Sequence, residues 1–116
     1  MARVLVVDDD AAALEIRKLL LERAGHIVTI AASANEARAA PRAEIAVLDL
    51  RLPEVEDGVS LIRELHDAGM RVIVLCGNRV DLDGRPEATL VDAIIPKPAR
   101  SQVLLKAIDG GTGVST

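Results

Sequence analysis

The stretch Glu44-Ile45-Ala46-Val47-Leu48-Asp49-Leu50-Arg51-Leu52-Pro53 restricts the fold more than any other. Four consecutive apolar residues, Ile45 to Leu48, leave this segment no polar face. A strand of that kind must be covered on both sides, as in the middle of a parallel sheet. The run stops on the carboxylate of Asp49, and Pro53 soon removes a backbone donor that further pairing would need. Open α/β sheets bind their ligands beyond the carboxyl ends of the strands. Asp49 therefore marks the edge where a site is expected.

Apolar runs predict further strands over residues 3–7, 26–31, 71–76 and 93–96, with the central one over 44–49. Helical patterns separate them. The first, 11–24, sets Ala13, Ile16, Leu20 and Ala24 on one face with Leu14 and Leu21 beside them, and Gly25 ends it. A short helix over 34–40 stops before Pro41. Asp57-Gly58 opens a third, capped by Asp57, to Ala68, with Leu61, Ile62, Leu65 and Ala68 facing inward. Gly84 and Pro86 leave 78–90 short or irregular. Ser101 caps a last helix through Ile108. Alternating strands and helices predict an α/β fold, a parallel sheet with helices on both faces. The domain is expected over 1–109, with 110–116 a flexible Gly/Ser/Thr tail or the start of a linker.

Composition narrows the function classes. A chain of 116 residues, 50% apolar, is one domain with a core of its own. It has no Phe, Tyr or Trp, so aliphatic side chains build that core and no ring is available to stack a base or a flavin. The net charge of −4, without a basic patch, argues against nucleic-acid binding by this segment. The single Cys76 excludes an internal disulfide and suits a reducing compartment. The sequence has no apolar run of membrane-spanning length and no visible secretory leader, so the expectation is a cytoplasmic domain.

Polar groups follow four strand ends: Asp8-Asp9-Asp10, Asp49, Cys76-Gly77-Asn78 and Lys97. A parallel sheet brings all of them to one edge. Carboxylates gathered there repel one another unless a cation sits among them. Mg²⁺ accepts one or two carboxylates, a carbonyl and waters, and leaves room for a phosphate oxygen. The ion and the Lys97 ammonium would neutralise a phosphoryl group arriving at Asp49, and carboxylate nucleophiles do form acyl phosphates. The plainer readings are also on the table. An aspartate of 8–10 can cap the following helix, Lys97 can be a surface lysine, and Cys76 a small buried hydrophobe. His26 and His66 lack metal-ligand spacing and read as surface or strand-edge residues. The charged stretch 79–87 reads as a solvated face, or as a partner surface.

The segments VLVVDDD, AVLDLRLP, VIVLCGN and AIIPKPA, in this order, resemble the signatures of the response-regulator receiver domain and cover nearly the whole chain. The resemblance implies a flavodoxin-like fold with strand order 2-1-3-4-5. It implies that Asp49 accepts phosphate from a sensor histidine kinase or histidine phosphotransfer protein. Asp8, Asp9, Asp49 and the Arg51 carbonyl would hold Mg²⁺, Lys97 would contact the phosphoryl group, and Lys97-Pro98 would be cis. It also implies a homodimer face formed by the fourth helix, fifth strand and fifth helix of such domains. Activity would be limited to self-directed phosphotransfer and autodephosphorylation.

Three departures are visible. Cys76 stands where receivers usually carry Ser or Thr, Ile94 where they carry a switch aromatic, and LPEVEDG is one residue longer than the usual spacing. They keep open a degenerate receiver, acting as a phosphorylation-independent interaction module or phosphate sink. Two other readings fail on the residues. A haloacid-dehalogenase-like phosphatase with Asp8 as nucleophile needs a later acidic pair that is missing. A flavodoxin-type FMN carrier needs a ring beside the flavin and a loop that does not repel phosphate.

Overall fold

The computed structural model describes residues 2–78 and 81–109; the expected tail at 110–116 lies outside the described residues. The element order is β1 (Arg3–Val7), α1 (Ala11–Arg23), β2 (Ile27–Ala31), α2 (Ala34–Ala39), β3 (Ile45–Asp49), α3 (Val55–Asp67), β4 (Arg71–Cys76), a 3-10 turn (Pro86–Leu90), β5 (Ala93–Pro96) and α4 (Ser101–Ile108). All strand pairs are parallel, in the order β2-β1-β3-β4-β5. The α/β fold with flavodoxin-like order 2-1-3-4-5 is thus the one expected. Among the described residues no helix is long and apolar enough to cross a membrane.

The continuous apolar runs are explained by a two-sided core. Successive strand residues point to opposite faces. Leu5, Val7, Ala46, Leu48, Val72 and Val74 pack on one side with Ala34, Ala37, Val59, Leu61, Ile62 and Leu65 of α2 and α3. Val4, Val6, Ile45, Val47, Ile73 and Leu75 pack on the other with Leu14, Leu21, Leu104 and Ile108 of α1 and α4. Every residue of β3 is buried, as a central strand requires.

Several local expectations need correction. In α1 the face carrying Ile16 and Ala24 does not meet the sheet: Ile16 is 67% exposed, and Leu14 and Leu21 point inward instead. Apolar residues surround most of this helix, so composition could not select a face. Helix α3 starts at Val55, two residues before Asp57, with Glu54 as N-cap. Asp57 lies one turn in and accepts the Glu54 backbone N–H through Oδ2 at 3.1 Å. Ala68 is exposed rather than facing inward. Arg100, not Ser101, is the N-cap of α4, and no side chain caps it.

His26 is buried, not a surface residue, and its Nδ1 accepts the Ala2 N–H at 3.0 Å. The stretch 79–87, of which Arg79 and Val80 lie outside the described residues, is only partly a solvated face. Leu82 is fully buried, and buried Glu87 pairs with Arg63 of α3, which holds its carboxyl below the usual carboxylate range.

Candidate functional site

The chain leaves β1 toward β2 on one side and reaches β3 on the other, so the sheet order reverses between β1 and β3. Crevices at such switch points, beyond the carboxyl ends of the strands, are where doubly wound sheets bind ligands. Val7 of β1 pairs with Leu48 of β3, so Asp8 and Asp49 are the next residues along two neighbouring strands. Oxygens of Asp8, Asp9 and Asp49 all lie within 4.8 Å of one another. Asp8 and Asp49 are buried; Asp9 is exposed.

Backbone geometry fixes the two buried acids. The Asp8 N–H donates to the Ala31 carbonyl at 3.1 Å, and Asp8 Oδ1 accepts the Asp10 N–H at 2.9 Å. Asp49 Oδ1 accepts the Arg51 N–H at 3.2 Å. Asp10 has a different task. Its Oδ1 accepts the N–H groups of Ala12 and Ala13 at 3.0 and 3.3 Å, so it is the N-cap of α1. The three successive acids thus divide into one cap and two members of the acidic group.

Two cations answer the carboxylates. Lys97 Nζ lies 2.5 Å from Asp49 Oδ2, brought there by the Lys97 N–H bonding the Cys76 carbonyl at 3.0 Å. Lys97-Pro98 is cis, as is Leu52-Pro53 in the longer loop after β3. The second cation, Arg17, was not anticipated. Its Nη1 lies 2.5 Å from Asp8 Oδ2, with both side chains largely buried. The signal was present in the spacing Leu14, Arg17, Lys18, Leu21, which is one helical stripe with Arg17 in the middle of the sheet-facing side.

The other expected site residues are placed less centrally. The Arg51 side chain turns away and pairs with Asp81 at 2.9 Å. Cys76 is buried at the end of β4, and its thiol donates to the Asn78 carbonyl at 2.8 Å. Burial pushes that thiol above the ordinary cysteine value. Ile94 of β5 is half-buried and packs against the α2/α3 side of the core.

Gly58 does more than the helix opening expected of Asp57-Gly58. A Cβ there would stand 1.8 Å from the Leu50 carbonyl oxygen, so α3 rests directly on the backbone that follows Asp49. A cavity of about 660 Å³ opens over the acids, between α1 and α4; its walls include Ala13, Ile16, Leu20, Pro98 and Leu104. Three clustered hard oxygen donors suit a divalent ion such as Mg²⁺, and the neighbouring ammonium suits an anion beside it.

A family model described as the response regulator receiver domain matches residues 4–109. The virulence transcriptional regulatory protein PhoP of Salmonella typhimurium is 43% identical over 82 residues, covering 65% of this chain and 35% of that protein. The response regulator MprA of Mycolicibacterium vanbaalenii is 33% identical over 128 residues, covering 97% of this chain and 55% of its own length. The chain spans about a third to about half the length of these curated relatives. Among solved structures, response regulator TrrA of Thermotoga maritima, in complex with Mg²⁺-BeF, superposes with a TM-score of 0.83. At 21% identity over 95% of this chain and 98% of that one, this likeness speaks for the fold alone. With the family model spanning almost all of the sheet and every strand-end acid, the chain belongs to the response regulator receiver domain family.

Proposed function

We propose that this chain accepts a phosphoryl group on Asp49 from a sensor histidine kinase or a histidine phosphotransfer protein. The observation that carries the reading is the placement of Asp49: one oxygen 2.5 Å from Lys97 Nζ, beside oxygens of Asp8 and Asp9. In the reaction an Asp49 oxygen attacks phosphorus, a P–O bond forms, and the P–N bond to the donor imidazole breaks. The Arg51 N–H holds the Asp49 carboxylate in position through its other oxygen. Lys97 offsets the charge of the arriving phosphoryl oxygens.

Asp8, Asp9, Asp49 and the Arg51 carbonyl would hold Mg²⁺. The ion, when bound, supplies charge neutralisation at the phosphoryl oxygens. The chain is then a signalling phospho-acceptor acting on itself, not an enzyme with a separate substrate. Incubation with acetyl phosphate and Mg²⁺, followed by intact-mass measurement, should show one phosphoryl adduct that Asp49→Asn abolishes. An unmodified wild-type chain would reject this function.

One observation favours a second reading of the output. The Cys76 thiol is already engaged with the Asn78 carbonyl, a thiol is a weak donor, and Ile94 has no ring to reorient. Phosphate would then be accepted without a large movement of the segment from Gly77 to Ile95, as in a phosphate sink. If so, Cys76→Thr should enlarge the phosphorylation-induced change in amide exchange there. Equal responses in the two chains would remove the case for Cys76 as the damping element.

A further inference from the structure

We propose that Arg17 is a resident counter-ion of the acidic pocket that competes with the divalent ion for Asp8 and so lowers the Mg²⁺ affinity of this chain. The proposal rests on the reading of Asp8, Asp9 and Asp49 as metal ligands. Arg17 is the second cation of the site and, unlike the exposed Lys97, it is largely buried. Its side chain is 15% exposed, and that of Asp8 is 3% exposed. A guanidinium in that position is tolerable because the Asp8 carboxylate answers it, and the carboxylate because the guanidinium answers it.

Both oxygens of Asp8 are therefore engaged. The Asp10 N–H holds Oδ1 at 2.9 Å and Arg17 holds Oδ2 at 2.5 Å. An ion that takes Asp8 through Oδ2 must share that oxygen with Arg17 or displace it. Displacement is sterically open, because Arg17 borders the cavity between α1 and α4 with small Ala13 and flexible Leu20 beside it. Charge gives the sign of the effect. The three clustered carboxylates face two fixed cations, so a divalent ion leaves that cluster of five groups one charge positive; without Arg17 the same ion would leave it neutral. Repulsion between a dication and a guanidinium that meet at one carboxylate corresponds to about a tenfold loss of affinity even at the dielectric constant of water. Arg17 also carries a benefit, since it keeps Asp8 compensated when no metal is bound.

The test is a MgCl2 titration at fixed pH and ionic strength, followed by amide chemical shifts and by calorimetry, on the wild-type chain, Arg17→Met and Arg17→Lys. Methionine keeps the apolar stem and removes the charge, and lysine restores the charge. Arg17→Met should bind Mg²⁺ about tenfold more tightly than wild type, and Arg17→Lys should return close to the wild-type constant. Without Mg²⁺ the Arg17→Met chain should melt below wild type, and saturating Mg²⁺ should narrow the gap. Should Arg17→Met fail to fold, Arg17→Gln takes its place with the same expectations. A dissociation constant for the neutral variant within twofold of wild type, or weaker, overturns the proposal while leaving the metal site standing. If none of the three chains gives a saturable Mg²⁺ response at Asp8, Asp9 and Asp49, the metal site falls and the proposal with it.

Discussion

Gly58→Ala sets two general tendencies against each other, and the structure decides between them. Alanine is a better helix former than glycine by about 1 kcal/mol, so an exposed position in α3 should gain from the change. Gly58 is buried, however, and a Cβ built there stands 1.8 Å from the Leu50 carbonyl oxygen and 2.6 Å from its carbon. Ordinary contacts begin near 3.4 Å, so α3 and the segment after Asp49 must separate by more than 1 Å. The neighbour is backbone and cannot rotate away. Forcing extra volume into a packed site costs about 1–3 kcal/mol or more, and shifting α3 loosens Val59, Leu61 and Ile62 as well.

An approach of 1.8 Å to backbone puts the cost at the upper end of that range, so after subtracting the propensity gain a loss of about 2 kcal/mol is expected, or roughly 8 °C in melting temperature for a domain of this size. Gly77→Ala is the control, because nothing lies within 4 Å of a Cβ at that position. Far-UV circular dichroism with heat and with urea is the assay, as a chain without Phe, Tyr or Trp has no useful intrinsic fluorescence. A Gly58→Ala chain as stable as wild type, or less affected than Gly77→Ala, would refute the close-contact reasoning. The same displacement should slow phosphorylation, since Arg51, which positions Asp49, lies in the segment that moves.

Two further outcomes follow from particular side chains. Burial raises the Cys76 thiol above its ordinary value of 9.0, so the folded state holds this proton more tightly than the unfolded chain does. The contribution is complete below that ordinary value and is lost as pH rises above it. The urea midpoint should therefore fall more steeply at alkaline pH in wild type than in Cys76→Ala, and equal slopes would contradict the burial effect. Arg71 donates to the Ala107 and Ile108 carbonyls at 2.8 and 3.0 Å, closing the last turn of α4. Arg71→Ala should cost about 1–2 kcal/mol and speed amide exchange in that turn, and unchanged exchange would show that the contact contributes nothing.

Much of this was legible in the sequence for a simple physical reason. A strand buried on both faces writes an unbroken apolar run, and its end writes the first charge, so Asp8, Asp49 and Lys97 fall at one sheet edge on the sequence alone. The strands Arg3–Val7, Arg71–Cys76 and Ala93–Pro96 fall where those runs begin and end. What stayed hidden depends on contacts between elements. The orientation of α1 is chosen by Leu14, Leu21 and the Arg17–Asp8 pair, while the local pattern offers Ile16 equally well. The start of α3 was misplaced because Asp57-Gly58 looks like a cap, when Gly58 is required by the approach of Leu50. The burial of His26 and Glu87 depends on partners 24 residues away, Ala2 and Arg63, that no short window contains.

The central claim is that the Asp49 carboxylate itself takes the phosphoryl group, and reductive trapping tests it most directly. The chain is incubated with acetyl phosphate and Mg²⁺, treated with borohydride, and its peptides are sequenced by mass spectrometry. An acyl phosphate at residue 49 is reduced to the alcohol, so homoserine is expected at that position and only when both donor and metal are supplied. Intact aspartate at 49, or conversion at Asp8 or Asp9 instead, would contradict the account.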